Sequence, residues 1–390
     1  MKSFDISIKA IAASLGLAFS TVILAAPDAF TEIHDFEPGQ TLNLDFVSGG
    51  SVSIEPWDQQ GIEVTYYDEL GLDRYEFDFE PQPDGLSISA KLLGGYNSSG
   101  LHFDIRAPRE LDLEVASAGG SITLSGLAGR FRGKTGGGPI ELENLQGEVS
   151  LTTGGGRIEV RNSILDGRVG TGGGKVLISD VEGDIEGHSG GGNVTYRNVT
   201  NRDGSIASPN RRRLDDATEN TVLISNAGGG IDIDAAPEGA DVSTGGGRIN
   251  VDGANRFVAA HTGGGDVRIK LEEGWVNAST GAGELDVSVS RNANGNGDIE
   301  LITGLGDVVL TLPADFSMAL QVVLGVTNNT DGGFDIRSDF PIDVTREDKW
   351  DYSHGTPRRY ILGDAQVNGG RHKVRIHTTN GDVTIRRQGG

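Results

Sequence analysis

The sequence predicts an all-β protein, a parallel β-solenoid (β-helix) of about eleven 18-residue coils with β-rich N-terminal and C-terminal caps. Three observations predict it: a strict 18-residue period, apolar–polar alternation on both sides of glycine clusters, and no helical periodicity in that region. The chain has 390 residues, 61 of them glycine, and no cysteine. Disulfides, thiolate zinc sites and a lipid-modified cysteine are therefore excluded, and stability must come from packing and backbone pairing.

The first 26 residues have the pattern of a secretory signal peptide. Lys2 and Lys9 flank a polar start, and an apolar run closed by small residues follows. A single-pass anchor is the alternative, but serines interrupt the run and no stop-transfer charges follow it. We expect cleavage after Ala25 or Ala26, export to the periplasm, outer surface or medium, and no transmembrane span in the mature chain. Loss of two lysines and Asp5 changes the net charge from −23 to −24, which opposes nucleic-acid binding.

The remaining chain divides into three predicted regions: an N-terminal β-rich cap at 27–115, the solenoid at 116–312 with a loop insertion at 200–220, and a C-terminal β cap at 313–390. Both caps alternate like strands without the full glycine period. An uncovered terminal coil would present a strand edge to other chains, so caps are expected at both ends.

The period is set by the apolar residue that follows each glycine cluster. Successive spacings are 18, 18, 18, 18, 37, 18, 18, 18 and 23 for Ile122, Ile140, Ile158, Val176, Val194, Ile231, Ile249, Val267, Leu285 and Val308. Each unit reads as two short strands and two turns. Such a unit cannot bury a core alone, so equivalent strands are expected to stack in parallel, about 4.8 Å apart.

Two residue types recur in columns with this period. The threonine column contains Thr135, Thr153, Thr171, Thr244, Thr262 and Thr280, and the glycine column contains Gly137, Gly155, Gly173, Gly246 and Gly264. Alternation places the threonines inward, where their hydroxyls can hydrogen-bond along the stack or to turn backbone. The glycines indicate a corner that every coil turns in little space.

The largest break in the period lies between Val194 and Ile231 and contains SPNRRRLDDATEN at 208–220. A solvated loop is one interpretation. The functional alternative is a basic contact point, formed by Arg211, Arg212 and Arg213, on an otherwise acidic rod.

Three motifs suggest ligands, but their context is wrong. AGRFRGKT at 128–135 matches a relaxed phosphate loop, yet a strand pattern follows where a helix is required. Calcium β-rolls use paired nonapeptides, but their convergent carboxylates do not repeat here. His372 and His377 are five apart and so lie on opposite strand faces. We therefore expect no cofactor and no metal.

Glu141 and Glu159 are the one carboxylate pair that an enzyme could use. They share an outward column on adjacent coils, which would suit a polysaccharide-active lyase or hydrolase. The column continues with Leu177 and Thr195, however, so the pair has no flanking partners. Ordinary charges of a solvated face are the favoured interpretation.

Three segments carry a resemblance: LHFDIRAPRELDLEVASAGGSITLSGLAG at 101–129, the recurring G-x-V-x-x-x-T-G-G-G-x-I-x-V, and VRIHTTNGDVTIRR at 374–387. Together they resemble the bacterial putative-adhesin family of β-strand-repeat domains of unknown function. Members often have small-Ser-Gly-Asp where this chain has three glycines. The resemblance implies a secreted or envelope-associated β-solenoid, and it offers no catalytic residues to transfer.

The leading hypothesis is an exported, non-enzymatic scaffold or adhesin-like interaction protein of the cell envelope, with a protein or glycan as its unidentified partner. The polysaccharide-active enzyme is the alternative. Fold alone does not decide between them, since one fold supports many functions.

Overall fold

The computed structural model describes residues 29–94, 100–200, 221–330, 333–353 and 355–389. Within these ranges the chain forms thirty β-strands and one 3-10 helix, with no α-helix. The all-β prediction is therefore confirmed. The predicted signal peptide at 1–26 and the arginine-rich stretch at 208–220 lie outside the described residues.

The strand bounds follow the chain order. The N-terminal strands are β1 (Phe30–His34), β2 (Thr41–Phe46), β3 (Ser51–Pro56), β4 (Ile62–Tyr67), β5 (Tyr75–Gln82), β6 (Gly85–Leu92), β7 (His102–Ala107), β8 (Asp112–Ser117) and β9 (Ile122–Ser125), with the 3-10 helix at Leu72–Arg74. The central strands are β10 (Ala128–Thr135), β11 (Ile140–Glu143), β12 (Gln146–Thr153), β13 (Ile158–Thr171), β14 (Val176–Glu182), β15 (Ile185–Ser189), β16 (Val194–Thr200), β17 (Val222–Asn226), β18 (Ile231–Ile233), β19 (Ala240–Thr244), β20 (Ile249–Thr262), β21 (Val267–Thr280), β22 (Leu285–Val289), β23 (Ile299–Thr303) and β24 (Val308–Leu312). The C-terminal strands are β25 (Met318–Thr327), β26 (Ile336–Ser338), β27 (Asp343–Arg346), β28 (Arg358–Val367), β29 (His372–Thr379) and β30 (Val383–Arg387).

Most strands belong to two parallel ladders. Ladder A contains, in spatial order, β6, β2, β8, β10, β12, the end of β13, β15, β17, β19, the ends of β20 and β21, β23, β29 and β25. Ladder B contains β7, β3, β9, β11, the start of β13, β14, β16, β18, the starts of β20 and β21, β22, β24, β30 and β26. A strand of ladder A and the strand of ladder B that follows it in the chain form a pair, and we call each such pair a level.

The register of both ladders follows the sequence period. Val149 pairs with Phe131 in ladder A, and Ile158 pairs with Ile140 in ladder B, each 18 residues away. Because the offset is constant, equivalent side chains lie directly above one another. Alternation then sends every second side chain of each strand into one continuous apolar core between the ladders.

A third column with the same period was not singled out in the sequence. Asn144, Asn162, Asp180 and Asn198 all have positive φ, between 48° and 55°. Asn and Asp tolerate this left-handed conformation better than other non-glycine residues. The column therefore turns the chain at the end of each ladder B strand where it occurs.

The threonine column is buried and bonds each level to the one before. Thr153 Oγ1 donates to the carbonyl of Gly138 at 2.8 Å, and it accepts the Gly156 N–H at 3.2 Å. The corresponding donor bonds, all 2.7 or 2.8 Å, start at Thr135, Thr171, Thr244, Thr262 and Thr280. Each hydroxyl thus pairs a partly or fully buried carbonyl of the turn, and stability is lost where such a group has no partner.

Within the glycine triplet, the constraint falls on the flanking glycines and not on the predicted column. A Cβ at Gly154 would collide with the Gly136 carbonyl, and one at Gly156 would collide with the Gly138 carbonyl. A Cβ at the middle glycine, Gly155, would meet nothing within 4 Å, and the same holds for Gly137, Gly173, Gly246 and Gly264. Close stacking of turn backbones, rather than positive φ, therefore requires the flanking glycines.

Both ends of the stack are interleaved. β2 and β3 lie between β8/β9 on one side and β6/β7 on the other. At the opposite end, β29 and β30 lie between β23/β24 and β25/β26. Antiparallel strands cover the outermost levels: β4 pairs with β7, β5 with β6, and β28 with β25. Strands β2 and β3, which follow β1, and the last two strands of the chain, β29 and β30, are thus internal members of the ladders.

Asp68 fixes the loop between β4 and β5. It is 3% exposed, and it accepts hydrogen bonds from the Tyr75 hydroxyl at 2.5 Å, Leu70 N–H at 2.7 Å and Gly100 N–H at 3.2 Å. Arg74 lies 3.7 Å away. Burial alone would raise the pKa of Asp68, but these hydrogen bonds and the Arg74 charge outweigh it and hold the pKa below its usual value.

Candidate binding surface

Glu141 and Glu159, the carboxylates singled out in the sequence, are register partners on the outer side of ladder B. Arg157 lies 2.5 Å from Glu141, and Arg161 is ion-paired with Glu159. Pairing with a neighbouring arginine on a solvated face is typical of ordinary surface charges. The arrangement gives no support to the polysaccharide-active enzyme.

A second charged region on ladder B lines a cavity of about 390 Å³. Its charges are also paired, as Arg248–Asp232 at 3.5 Å, Lys270–Asp252 at 2.7 Å and Arg268–Asp286 at 3.2 Å. The hydrogen bond from Lys270 holds the pKa of Asp252 below its usual value. All three cations of this lining are therefore bound to carboxylates, and among the described charged residues of the lining only Asp266 and Glu284 lack an ion pair.

The outer side of ladder A differs near β21, β23 and β29. Asn277, Glu300 and Arg375 are register partners on these three strands, facing outward. Two positions earlier on the same levels stand Trp275, Asp298 and Lys373. We call these six residues the Trp275 grid. With strands about 4.8 Å apart and alternate residues about 7 Å apart, the grid measures roughly 10 Å by 7 Å, and it lines a cavity of about 210 Å³.

Trp275 is held in place by a neighbouring aromatic ring. Its indole stacks on Phe257 of the adjacent level, with ring centroids 4.9 Å apart and planes 14° apart. Phe257 is fully buried, whereas Trp275 is partly exposed. The pair gives the grid a rigid, flat, apolar side.

Asp298 is also held in place. Its Oδ1 accepts the backbone N–H of Lys373 at 2.8 Å, and its own N–H donates to Asn296 Oδ1 at 3.0 Å. Asn296 belongs to the connection between β22 and β23, where the sequence spacing from Leu285 to Val308 is 23 instead of 18. The extra residues thus lie beside the grid, and this irregular spacing was the sequence signal that could have identified the site.

The charged groups of the grid contrast with those of ladder B. Among the residues that the structure describes, Glu300, Lys373 and Arg375 take part in no ion pair, whereas carboxylates of ladder B bind arginine or lysine. The grid therefore combines an aromatic ring, an amide, two carboxylates and two cations, and in the described ranges none of these four charges forms an ion pair. Convergent polar groups beside an apolar wall are typical of ligand sites.

The structure also places the phosphate-loop match at 128–135 and the two histidines singled out in the sequence. Residues 128–135 form strand β10, and β11 follows at Ile140, so the phosphate-loop geometry is absent there. His372 is buried and His377 is exposed. In the described ranges, no three His, Asp or Glu side chains are grouped as metal ligands would be, and no helix has the length and apolarity to cross a membrane. Arg211, Arg212 and Arg213 lie outside these ranges.

The chain was compared with known families, curated proteins and solved structures. No family model matches it, and no curated protein matches it. Among solved structures, a putative adhesin of Parabacteroides distasonis is 11% identical with a TM-score of 0.30, covering 71% of this chain and 98% of that one. A putative adhesin of Bacteroides fragilis is 9% identical with a TM-score of 0.24, covering 93% and 98%. A putative cell adhesion protein of Clostridium sporogenes is 9% identical with a TM-score of 0.21, covering 93% and 100%.

These descriptions agree with the resemblance found in the sequence motifs. The chain is thus similar, in its motifs and among solved structures, to proteins described as putative adhesins.

Proposed function

We propose that the protein is an exported, non-enzymatic β-solenoid that acts as an adhesin-like interaction protein of the bacterial cell envelope. The observation that carries the proposal is the Trp275 grid, where an aromatic ring and charges without ion-pair partners face outward from a rigid ladder. The ladders hold such side chains at fixed spacing, which lowers the entropic cost of binding.

Two further features support the proposal. The pattern of residues 1–26 is that of a secretory signal, which supports export. Glu141 and Glu159 are each ion-paired with an exposed arginine, as ordinary surface charges are, which supports a non-enzymatic role. The two parallel ladders, in which each level pairs with its neighbours, support the solenoid part of the proposal.

The test is a binding assay with the mature chain, residues 27–390, labelled with a fluorophore. We expect saturable binding to isolated envelope fractions or to intact cells. The control is the same assay with a large excess of unlabelled mature chain, which leaves only non-specific binding of the labelled chain. Binding no stronger than that of the control would contradict the proposal.

A parallel assay addresses the enzymatic alternative. The mature chain is incubated with a panel of polysaccharides, and reducing ends and unsaturated products are measured. We expect no turnover. Turnover that disappears in Glu141→Gln or Glu159→Gln would replace the proposed function with the enzyme.

A further inference from the structure

We infer that the Trp275 grid binds one ring of a neutral hexose-containing glycan. The inference rests on the proposed function and specifies its ligand. The dimensions of the grid suit a single sugar ring. The grid spans roughly 10 Å by 7 Å across three levels, which matches a single pyranose ring with its hydroxyls rather than an extended protein surface. The cavity of about 210 Å³ is of the same scale.

The Trp275 indole forms the aromatic side of the grid. The C–H groups of a pyranose form an apolar face, and partly exposed tryptophan offers a flat surface for such a face while keeping a polar N–H at its edge. Stacking on the buried ring of Phe257 fixes the Trp275 indole in orientation. A fixed platform loses little side-chain entropy when a ligand binds.

The grid offers hydrogen-bond donors and acceptors side by side. Asp298 and Glu300 only accept hydrogen bonds when ionised, Lys373 and Arg375 only donate, and the Asn277 amide does both. A sugar hydroxyl both donates and accepts, so neighbouring hydroxyls of one ring can satisfy carboxylates and cations together. Charge-assisted hydrogen bonds of this kind are the stronger ones.

Charged ligands fit less well. An anionic ligand would meet the two carboxylates of the grid and a chain with a net charge of −23, while a cationic peptide would meet Lys373 and Arg375. Like charges brought together at a binding site select against the wrong partner. The neutral, hydroxyl-rich ligand is therefore the class that the grid fits.

The experiment is ligand-observed saturation-transfer NMR on the mature chain. The probes are cellotetraose, maltotetraose, mannotetraose, galactotetraose and chitotetraose, with tetragalacturonate as the anionic arm. A single ring of about 12 non-hydrogen atoms gives a dissociation constant on the order of 1 mM. We expect at least one neutral probe to bind in this range and tetragalacturonate to bind no more tightly.

Variants locate the binding. Trp275→Ala should raise the dissociation constant at least tenfold, and Trp275→Phe should raise it less because a flat ring remains. The matched control is Trp350→Ala, since Trp350 is partly exposed on a distant loop where it packs against Arg359. That change should leave binding unaltered. Circular dichroism verifies folding, and if Trp275→Ala does not fold, the double variant Asn277→Ala/Glu300→Gln decides in its place.

Three outcomes would overturn the inference: no neutral probe binds, only the anionic probe binds, or the deciding variant binds as well as the unaltered chain. The cell-binding assay separates these outcomes from the proposed function. If one of the three occurs but the unaltered chain still binds envelope fractions, the glycan ring is rejected while the interaction protein stands. If the unaltered chain binds no fraction, the proposed function fails as well.

Discussion

Replacement by alanine should lower the free energy of unfolding at the two flanking glycines of one turn but not at the middle glycine. Gly154→Ala would put a methyl group against the Gly136 carbonyl, and Gly156→Ala would put one against the Gly138 carbonyl. Both obstacles are backbone held in register by the level before, so they cannot retreat as a flexible side chain would. Forcing extra atoms into such a packed site costs about 1–3 kcal/mol.

Gly155→Ala is the matched control. Its methyl group would enter open space, and its φ lies outside the left-handed region. Loss of glycine flexibility in the unfolded chain then stabilises the fold by about 0.4–1 kcal/mol. The sequence already contains side chains at the corresponding middle position, Ala282 and Leu305. We therefore expect a difference of about 1.4–4 kcal/mol between the control and either flanking variant.

The assay is urea unfolding followed by far-UV circular dichroism, with free energies taken from midpoints at constant slope. The midpoints of Gly154→Ala and Gly156→Ala should fall, and that of Gly155→Ala should stay or rise. Equal loss of stability in all three variants would refute the argument, because it would show that glycine is needed for conformation and not for close approach.

Three further changes test other parts of the stack by the same unfolding measurement. Thr171→Val leaves the Gly156 carbonyl without its hydroxyl donor and should cost about 1–3 kcal/mol, whereas Thr171→Ser should cost much less; equal losses would contradict this role. Asn162→Ala forces alanine into positive φ and should cost about 1–2 kcal/mol, while Asn162→Gly should be nearly neutral. Asp68→Asn removes the negative charge beside Arg74 and weakens the hydrogen bonds that the carboxylate accepts, and it should cost about 1–3 kcal/mol at neutral pH. Because the folded pKa of Asp68 is lowered, its contribution is complete above the unfolded pKa of about 3.9 and is lost as pH falls through the folded pKa. The difference between Asp68→Asn and the unaltered chain should therefore shrink in acid, and a pH-independent difference would contradict the assignment.

The period predicted the central strands well because it reports a local pattern. Alternation in GEVSLTT and IEV corresponds to β12 and the start of β13, with the glycine turn between them. It also indicated which side of each strand is buried. The period could not assign roles to the three glycines, since their difference depends on the backbone of the preceding level.

The interleaved ends were not predictable in this way. β2 pairs with β6 and β8, and β29 pairs with β23 and β25, over long and irregular separations that no local signal marks. The Trp275 grid was missed for the same reason. Lys373 lies 75 residues after Asp298 in the chain but next to it in space, so two of the six residues of the site join the other four only when β29 enters the stack.

The interleaved ends also determine how the molecule resists pulling. A repeat array usually peels from its end, because the last repeat has one neighbour. Here a force on the N-terminal side first detaches β1 and then acts on β2, which is hydrogen-bonded along both edges. A force on the C-terminal side acts on β30, which is also hydrogen-bonded along both edges. Two rows of hydrogen bonds must then break together at either end. Such a chain would bear tension between two attachment points far better than an array whose outermost repeat is also its terminus.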